Sequence, residues 1–183
     1  MKNSSESLSQ TVKVRRETAG DAKAVFAVNR HAFDGDVEAK LVDRLRELGE
    51  PTISLVAELD GRIVGHILFS RVTVGSGQDS RNAMALGPMA VVPELQRRRI
   101  GSKLVETGVE ACRERGENVV FVLGHPKYYP RFGFQPAGPK GLHFHSTEFD
   151  PYFFVKELEA GALAGMCGMV RYHTVFDEPQ TEE

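Results

Sequence analysis

Apolar and polar positions recur along this chain with periods that mark its elements. "VKVRRE" (12–17) alternates as a short strand does. In "TAGDAKAVFAVNRHAF" (18–33), Ala22, Val25, Phe26, Val28 and Phe33 fall close to one helical stripe. A second helix is predicted from Asp36, with Val37, Leu41, Leu45 and Leu48 on one face and Gly49 ending it. "ISLVAELDGRIVGHILFSRVTV" (53–74) reads as a hairpin, because two β-rich runs flank Asp60-Gly61, a pair favoured in type I′ turns. "GSGQDSRN" (75–82) is a loop. "AMALGPMAVV" (83–92) is a strand that Gly87-Pro88 must distort, since proline removes a ladder donor and glycine permits a bulge. Ile100–Arg115 is a helix with Leu104, Val105, Val109 and Cys112 inward, closed by Gly116. "NVVFVLG" (118–124) is apolar enough for a central buried strand. "HPKYYPRF" (125–132) is a turn or short helix, and "GFQPAG" (133–138) starts another strand. Phe153–Val155 and Met169–Val175 suit closing strands.

The strand–helix–strand run over 84–123 demands a right-handed crossover, which makes those two strands parallel neighbours. A mixed α/β sheet of about six or seven strands follows. With 183 residues, the chain suits one domain over 12–176, between a polar tail predicted to be disordered at 1–11 and a polar tail at 177–183. Hydrophobic residues at 41% and charged residues at 26% fit a globular protein, and a net charge of −2 argues against nucleic acid as a partner. No stretch approaches the roughly 18 apolar residues of a membrane span. The start "MKNSSESLSQ" lacks the apolar core of a secretory signal. Cys112 and Cys167 stand far apart without metal-type spacing, so reduced thiols and a cytoplasmic location are expected.

"PELQRRRIGSKLVE" (93–106) carries the local excess of positive charge, Arg97, Arg98 and Arg99, between a distorted strand and a helix start. The first N–H groups of a helix lack internal partners and the dipole is positive there, so a pyrophosphate suits the place. Gly101 permits close approach of the backbone, and Ser102 adds a hydroxyl. A solvated basic turn would carry the same residues, but its placement favours the anion site. A P-loop is excluded: Gln96 stands where its first glycine belongs, and Leu104 rather than Ser or Thr follows Lys103. A dinucleotide fold is disfavoured too, for want of a G-x-G-x-x-G.

These residues bring in a resemblance. "VVPELQRRRIGSKLV" resembles the coenzyme-A-binding motif of the GCN5-related N-acetyltransferase (GNAT) superfamily. "YYPRFGF" resembles its second signature, and "GRIVGHILFS" its third-strand hairpin. The likeness spans roughly 12–158 and is closest to a predicted-acetyltransferase branch in bacteria. It implies a mostly antiparallel sheet with a central parallel pair, flanked by about four helices. It implies acetyl-CoA as co-substrate, with no metal, held by Met89, Ala90 and Val91 and by Gln96, Arg97, Arg98, Arg99, Ile100, Gly101, Ser102 and Lys103. Arg99 replaces the first motif glycine; its backbone would still serve in an ordinary conformation. A backbone N–H near Val91 would face the acetyl oxygen.

The resemblance makes Tyr129 the general acid for the leaving sulfur, with Tyr128 mostly structural. For a base the residues leave His66, with Glu58 and His125 as rivals, or an ordered water. His143 and His145 share a strand face but have no third partner for a metal. The function implied is acetyl transfer to a primary amine, on a small molecule or a peptide, by direct attack in a ternary complex. The alternative is a non-catalytic acyl-CoA sensor on the same fold. No nucleic acid and no membrane are expected as partners, and a homodimer is left open.

Overall fold

Residues 11–49 and 53–177 are described by a computed structural model. The tails expected at 1–11 and 177–183 lie outside them except for Thr11 and Asp177. The strands are β1 (Lys13–Arg16), β2 (Ile53–Leu59), β3 (Arg62–Val74), β4 (Arg81–Val91), β5 (Val119–Leu123), β6 (Gln135–Pro136), β7 (Leu142–His143), β8 (Phe153–Glu157) and β9 (Gly168–Arg171). Three α-helices occur among the described residues: α1 (Ala22–Phe33), α2 (Val37–Glu47) and α3 (Ile100–Glu114). The last of the four expected helices is a single 3-10 turn, Tyr129–Phe132.

The sheet runs in the order β1-β2-β3-β4-β5-β8-β6, with β9 on β3 and β7 on β9. Pairing is antiparallel except for β4–β5, the expected central parallel pair, and the short β7–β9 contact. Asp60 (φ 50°) and Gly61 (φ 74°) are both left-handed, as a type I′ turn between β2 and β3 requires.

Strand alternation sorts the core into two faces. Leu55, Ile67 and Phe69 pack with Leu104, Val105 and Val109 of α3, whereas Val56 and Leu68 pack with Val25 of α1 and Val42 and Leu45 of α2. Helix α3 approaches the sheet closely at Gly108, where a Cβ would stand 2.6 Å from Phe69 Cζ.

Two expectations shift. The buried stripe of α2 is Ala39, Val42 and Leu45, while Val37 and Leu48 are exposed. The small Ala39 lets the helix lie close on that face, which turns the predicted stripe partly outward. The last strand stops at Arg171 rather than Val175, because Thr174–Phe176 coil into a 3-10 turn. There the Val175 N–H donates to His173 Nδ1 (3.2 Å), and the Val175 side chain enters the core beside Val42 and Leu45. That local bond replaces a ladder bond.

Candidate active site

The parallel strands part where the sequence interrupts one of them. Pairing of β4 with β5 runs from Met84 opposite Val120 to Leu86 opposite Val122. Beyond it come Gly87 and Pro88, while β4 continues against β3 alone. From Leu86 to Met89, β4 takes three steps against two on β3 (Ile67 to Phe69), a bulge of one residue. An antiparallel ladder bonds alternate residues. The Val92 N–H donates to Val64 O (3.0 Å), so Ala90, opposite His66, faces its backbone toward β3. Met89 and Val91 therefore turn their N–H and C=O groups to the side that β5 has left. Of the three expected cofactor positions on this strand, these two face the parted side, with the Val91 carbonyl taken by Gln96 and its N–H left for a ligand, and Ala90 does not.

The edge leads into the arginine loop. The Gln96 amide donates to Val91 O (3.1 Å) and ties the loop to the strand end. Arg97 (φ 62°) and Arg99 (φ 65°) are both left-handed. Arg99 thus adopts the conformation a glycine would take there, not the ordinary one, and it caps α3. Left-handed residues within such a turn help gather successive N–H groups into an anion-binding concavity. Ahead of the first α3 bond, from Lys103 N–H to Arg99 O (3.0 Å), the N–H groups of Ile100, Gly101 and Ser102 stand at the helix start. Arg97, Arg98 and Arg99 are exposed and have no ion-pair partner among the described residues. Ile100 is buried in the core, and the Lys103 ammonium reaches away to Val12 O.

Beside this junction sits the aromatic turn. Lys156 Nζ donates to Phe132 O (2.6 Å) and fixes Tyr129–Phe132 against β8. Tyr128 packs edge-on to Tyr129 (5.1 Å), with the Arg131 guanidinium 4.5 Å above its ring. The Tyr128 hydroxyl stands 2.8 Å from where a Cβ on Gly101 would lie, beside Ser102. Sequence reading made Tyr128 mostly structural; its hydroxyl lies at the first turn of α3. Tyr129 is buried, which pushes its phenol pKa well above the ordinary 10, with a smaller contribution from Tyr128. Both tyrosines line a cavity of about 480 Å³, together with Met89, Leu123, Gly124 and His125.

His66 is elsewhere. It does not line this cavity and is fully buried on the α1 side of the sheet. Asn29 Nδ2 meets His66 Nδ1 at 3.0 Å and Ser54 Oγ meets Nε2 at 2.9 Å. Asn29 Nδ2 also donates to Val25 O, so the amide nitrogen is the donor and Nδ1 the acceptor. Nε2 then carries the proton toward Ser54, whose hydroxyl bonds Glu17. Glu17 Oε2 is 3.7 Å from Nε2, too far for a direct bond, and its other oxygen takes Arg46 at 2.6 Å. Burial lowers the His66 pKa, against an opposing pull from Glu17. Neither ring nitrogen is open to an amine in the cavity. Glu58 is also remote, paired with Arg15 (2.8 Å). His125 does line the cavity, with Nδ1 accepting from the Lys127 N–H (3.2 Å). His143 pairs with Asp150 (2.9 Å).

The far wall of the cavity includes Phe33, Glu38 and Leu41 from the first two helices and Phe144, Tyr172 and Phe176 from the C-terminal third, none of which sequence reasoning singled out for a site. No motif joins these segments; only the fold does.

Comparison with known proteins follows the same lines. A model described as an acetyltransferase (GNAT) domain matches residues 13–137. The uncharacterised N-acetyltransferase YjhQ of Escherichia coli K12 is 46% identical over 124 residues, 66% of this chain and 68% of that one. The GNAT family N-acetyltransferase YhbS from Escherichia coli, solved in complex with CoA, superposes with a TM-score of 0.86 at 34% identity, covering 93% of this chain and 94% of that one. A GNAT family acetyltransferase from Brucella melitensis, solved with acetyl-CoA, gives 0.77 at 32% identity, covering 92% and 99%.

Proposed function

Because the chain belongs to the GNAT acetyltransferase family, we propose that it moves an acetyl group from acetyl-CoA to a primary amine, with both bound at once. One observation carries the reading: the open edge of Met89 and Val91 runs directly into a loop that gathers N–H groups and three arginines. An extended chain of amides would add to that edge as a strand does, and a pyrophosphate would meet the helix start. Coenzyme A offers both in one molecule. The CoA and acetyl-CoA complexes of the two relatives support the same reading.

In the reaction, the amine lone pair attacks the acetyl carbon, the C–N bond forms and the C–S bond breaks. The Val91 N–H, facing the open edge, is the donor for the carbonyl oxygen. The sulfur takes the phenolic proton of Tyr129, which burial keeps in place at neutral pH. Tyr129 regains a proton from solvent, and the nitrogen releases its own to water. His66 has no part in this, since both of its nitrogens are engaged in the buried network.

Calorimetry with acetyl-CoA tests the binding half. Changing Arg97, Arg98 and Arg99 together to Ala should weaken binding roughly tenfold or more at low salt, with the difference shrinking as salt screens the contacts. Equal affinity removes the anion site. Coenzyme A release on mixing acetyl-CoA with a broad set of amines tests the transfer half. Tight acetyl-CoA binding without release from any amine would leave the sensor reading instead.

A further inference from the structure

The cavity beside Tyr129 has a strand wall and an opposing wall of different character. The second wall is built largely of rings. Phe33 stands 41% exposed at the end of α1. Phe144 packs edge-on against Tyr172 (4.9 Å), and Tyr172 against Phe176 (5.1 Å). These three hold one another in place, and the turn carrying Phe176 is pinned under α2 by buried Val175. Part of this wall lies beyond the residues 13–137 that the family model matches.

Two polar groups on the same wall have no partner among the described residues. The Glu38 carboxylate makes no ion pair among the described residues. The Tyr172 hydroxyl is shielded from solvent and has no hydrogen-bond partner among the described residues. A buried hydroxyl left unpaired is costly, and Tyr172 is one of the residues that line the cavity.

We infer that the cavity takes a small primary amine carried on a flat apolar body, an arylalkylamine in chemical class, with Glu38 drawing its ammonium and the Tyr172 hydroxyl bonding its nitrogen. This rests on the acetyl-transfer reading and names its acceptor. One carboxylate matches one ammonium. A polyamine would bring further charges for which the cavity lining holds no second carboxylate. A volume of about 480 Å³, shared with the acetyl end of the cofactor, leaves room for a small body and not for a folded partner. Before attack the ammonium must lose a proton to water. The apolar walls favour its neutral form and Glu38 opposes them, so the amine is held but still able to deprotonate.

The test compares 2-phenylethylamine, spermidine and an unblocked hexapeptide by coenzyme A release at saturating acetyl-CoA. For 2-phenylethylamine, kcat/KM should exceed that of the other two by about tenfold or more, a gap set by burial of its ring. Glu38→Gln should lower kcat/KM for it roughly ten- to a hundredfold, mainly through KM. Tyr172→Phe should lower it by up to about tenfold. Acetyl-CoA affinity should hold in both variants. A preference for spermidine or the peptide, or no effect of Glu38→Gln, overturns the acceptor class and leaves acetyl transfer standing. If no amine releases coenzyme A, 2-phenylethylamine is titrated calorimetrically into the protein with and without coenzyme A. Binding that Glu38→Gln abolishes keeps the acceptor site and removes acetyl transfer; absence of binding overturns the site.

Discussion

Tyr129 leaves no room for a side chain at residue 124: a Cβ on Gly124 would collide with its Cε2 and stand 3.0 Å from its Cδ2. The backbone there cannot easily yield, because the Gly124 N–H is bonded to Tyr152 O (2.8 Å). Gly124→Ala should therefore displace the ring. Overpacking of this kind costs about 1–3 kcal/mol. Thermal melting should show the loss, and kcat should fall more than acetyl-CoA affinity. A variant with parental kcat would mean that the position of Tyr129 is not critical.

Removing only the Tyr129 hydroxyl separates chemistry from packing. Tyr129→Phe should lower kcat on the order of 10²–10⁴-fold, with melting temperature and acetyl-CoA affinity near parental values. Tyr128→Phe takes away a hydroxyl at the first turn of α3 instead. It should shift acetyl-CoA affinity by less than about tenfold and barely touch kcat. Full kcat in Tyr129→Phe, with chemistry rate-limiting, would return Tyr129 to the packing aromatics.

Arg99 holds a conformation that costs a residue with a Cβ about 1–2 kcal/mol. Arg99→Gly removes that cost, and the more flexible unfolded chain gives back about 0.5–1 kcal/mol. The melting temperature should stay level or rise by a few degrees. Acetyl-CoA binding should persist with a shallower salt dependence, since one positive charge is lost. A clear drop in melting temperature would show that the arginine side chain supports the loop.

The buried network predicts an acid limb in two stages. Burial holds His66 below its ordinary 6.5, so the unfolded chain binds a proton that the folded one refuses. Stability from this site is full above 6.5 and falls as pH drops through it. Glu17 sits at about 2 against an ordinary 4.5: burial would raise it, but His66, Ser54 and Arg46 outweigh that. Its contribution is full above 4.5 and is lost between 4.5 and about 2. Melting temperature measured from pH 8 to pH 3 should decline in both windows. His66→Gln should flatten the upper decline; an unchanged upper decline would assign it to other groups.

The strands and α3 were legible because each depends on local pattern: the Asp60-Gly61 turn, the apolar run at 118–124, the stripe ending at Gly116. The strand interruption at Gly87-Pro88 was legible because proline's missing donor is a covalent fact. The facing of α2 was not, since Val37 and Leu48 look as apolar as Val42 and only packing around Ala39 selects among them. His66 looked like a base because an imidazole has a suitable pKa. Its engagement depends on Asn29 and Ser54, far apart in sequence and brought together only by α1 lying on β3, which pairs with β2. Glu38 and Tyr172 carried no signal for the same reason: only the fold brings them to one cavity wall.

Gly108 receives the Phe69 ring where any other residue would push α3 off the sheet. The ring acts as a peg: α3 cannot roll or slide without driving its backbone into Phe69. The first turn of α3, with the N–H groups of Ile100, Gly101 and Ser102, is therefore held in place against the sheet. An anion arriving there meets N–H groups already aimed, and little ordering entropy is charged against its affinity.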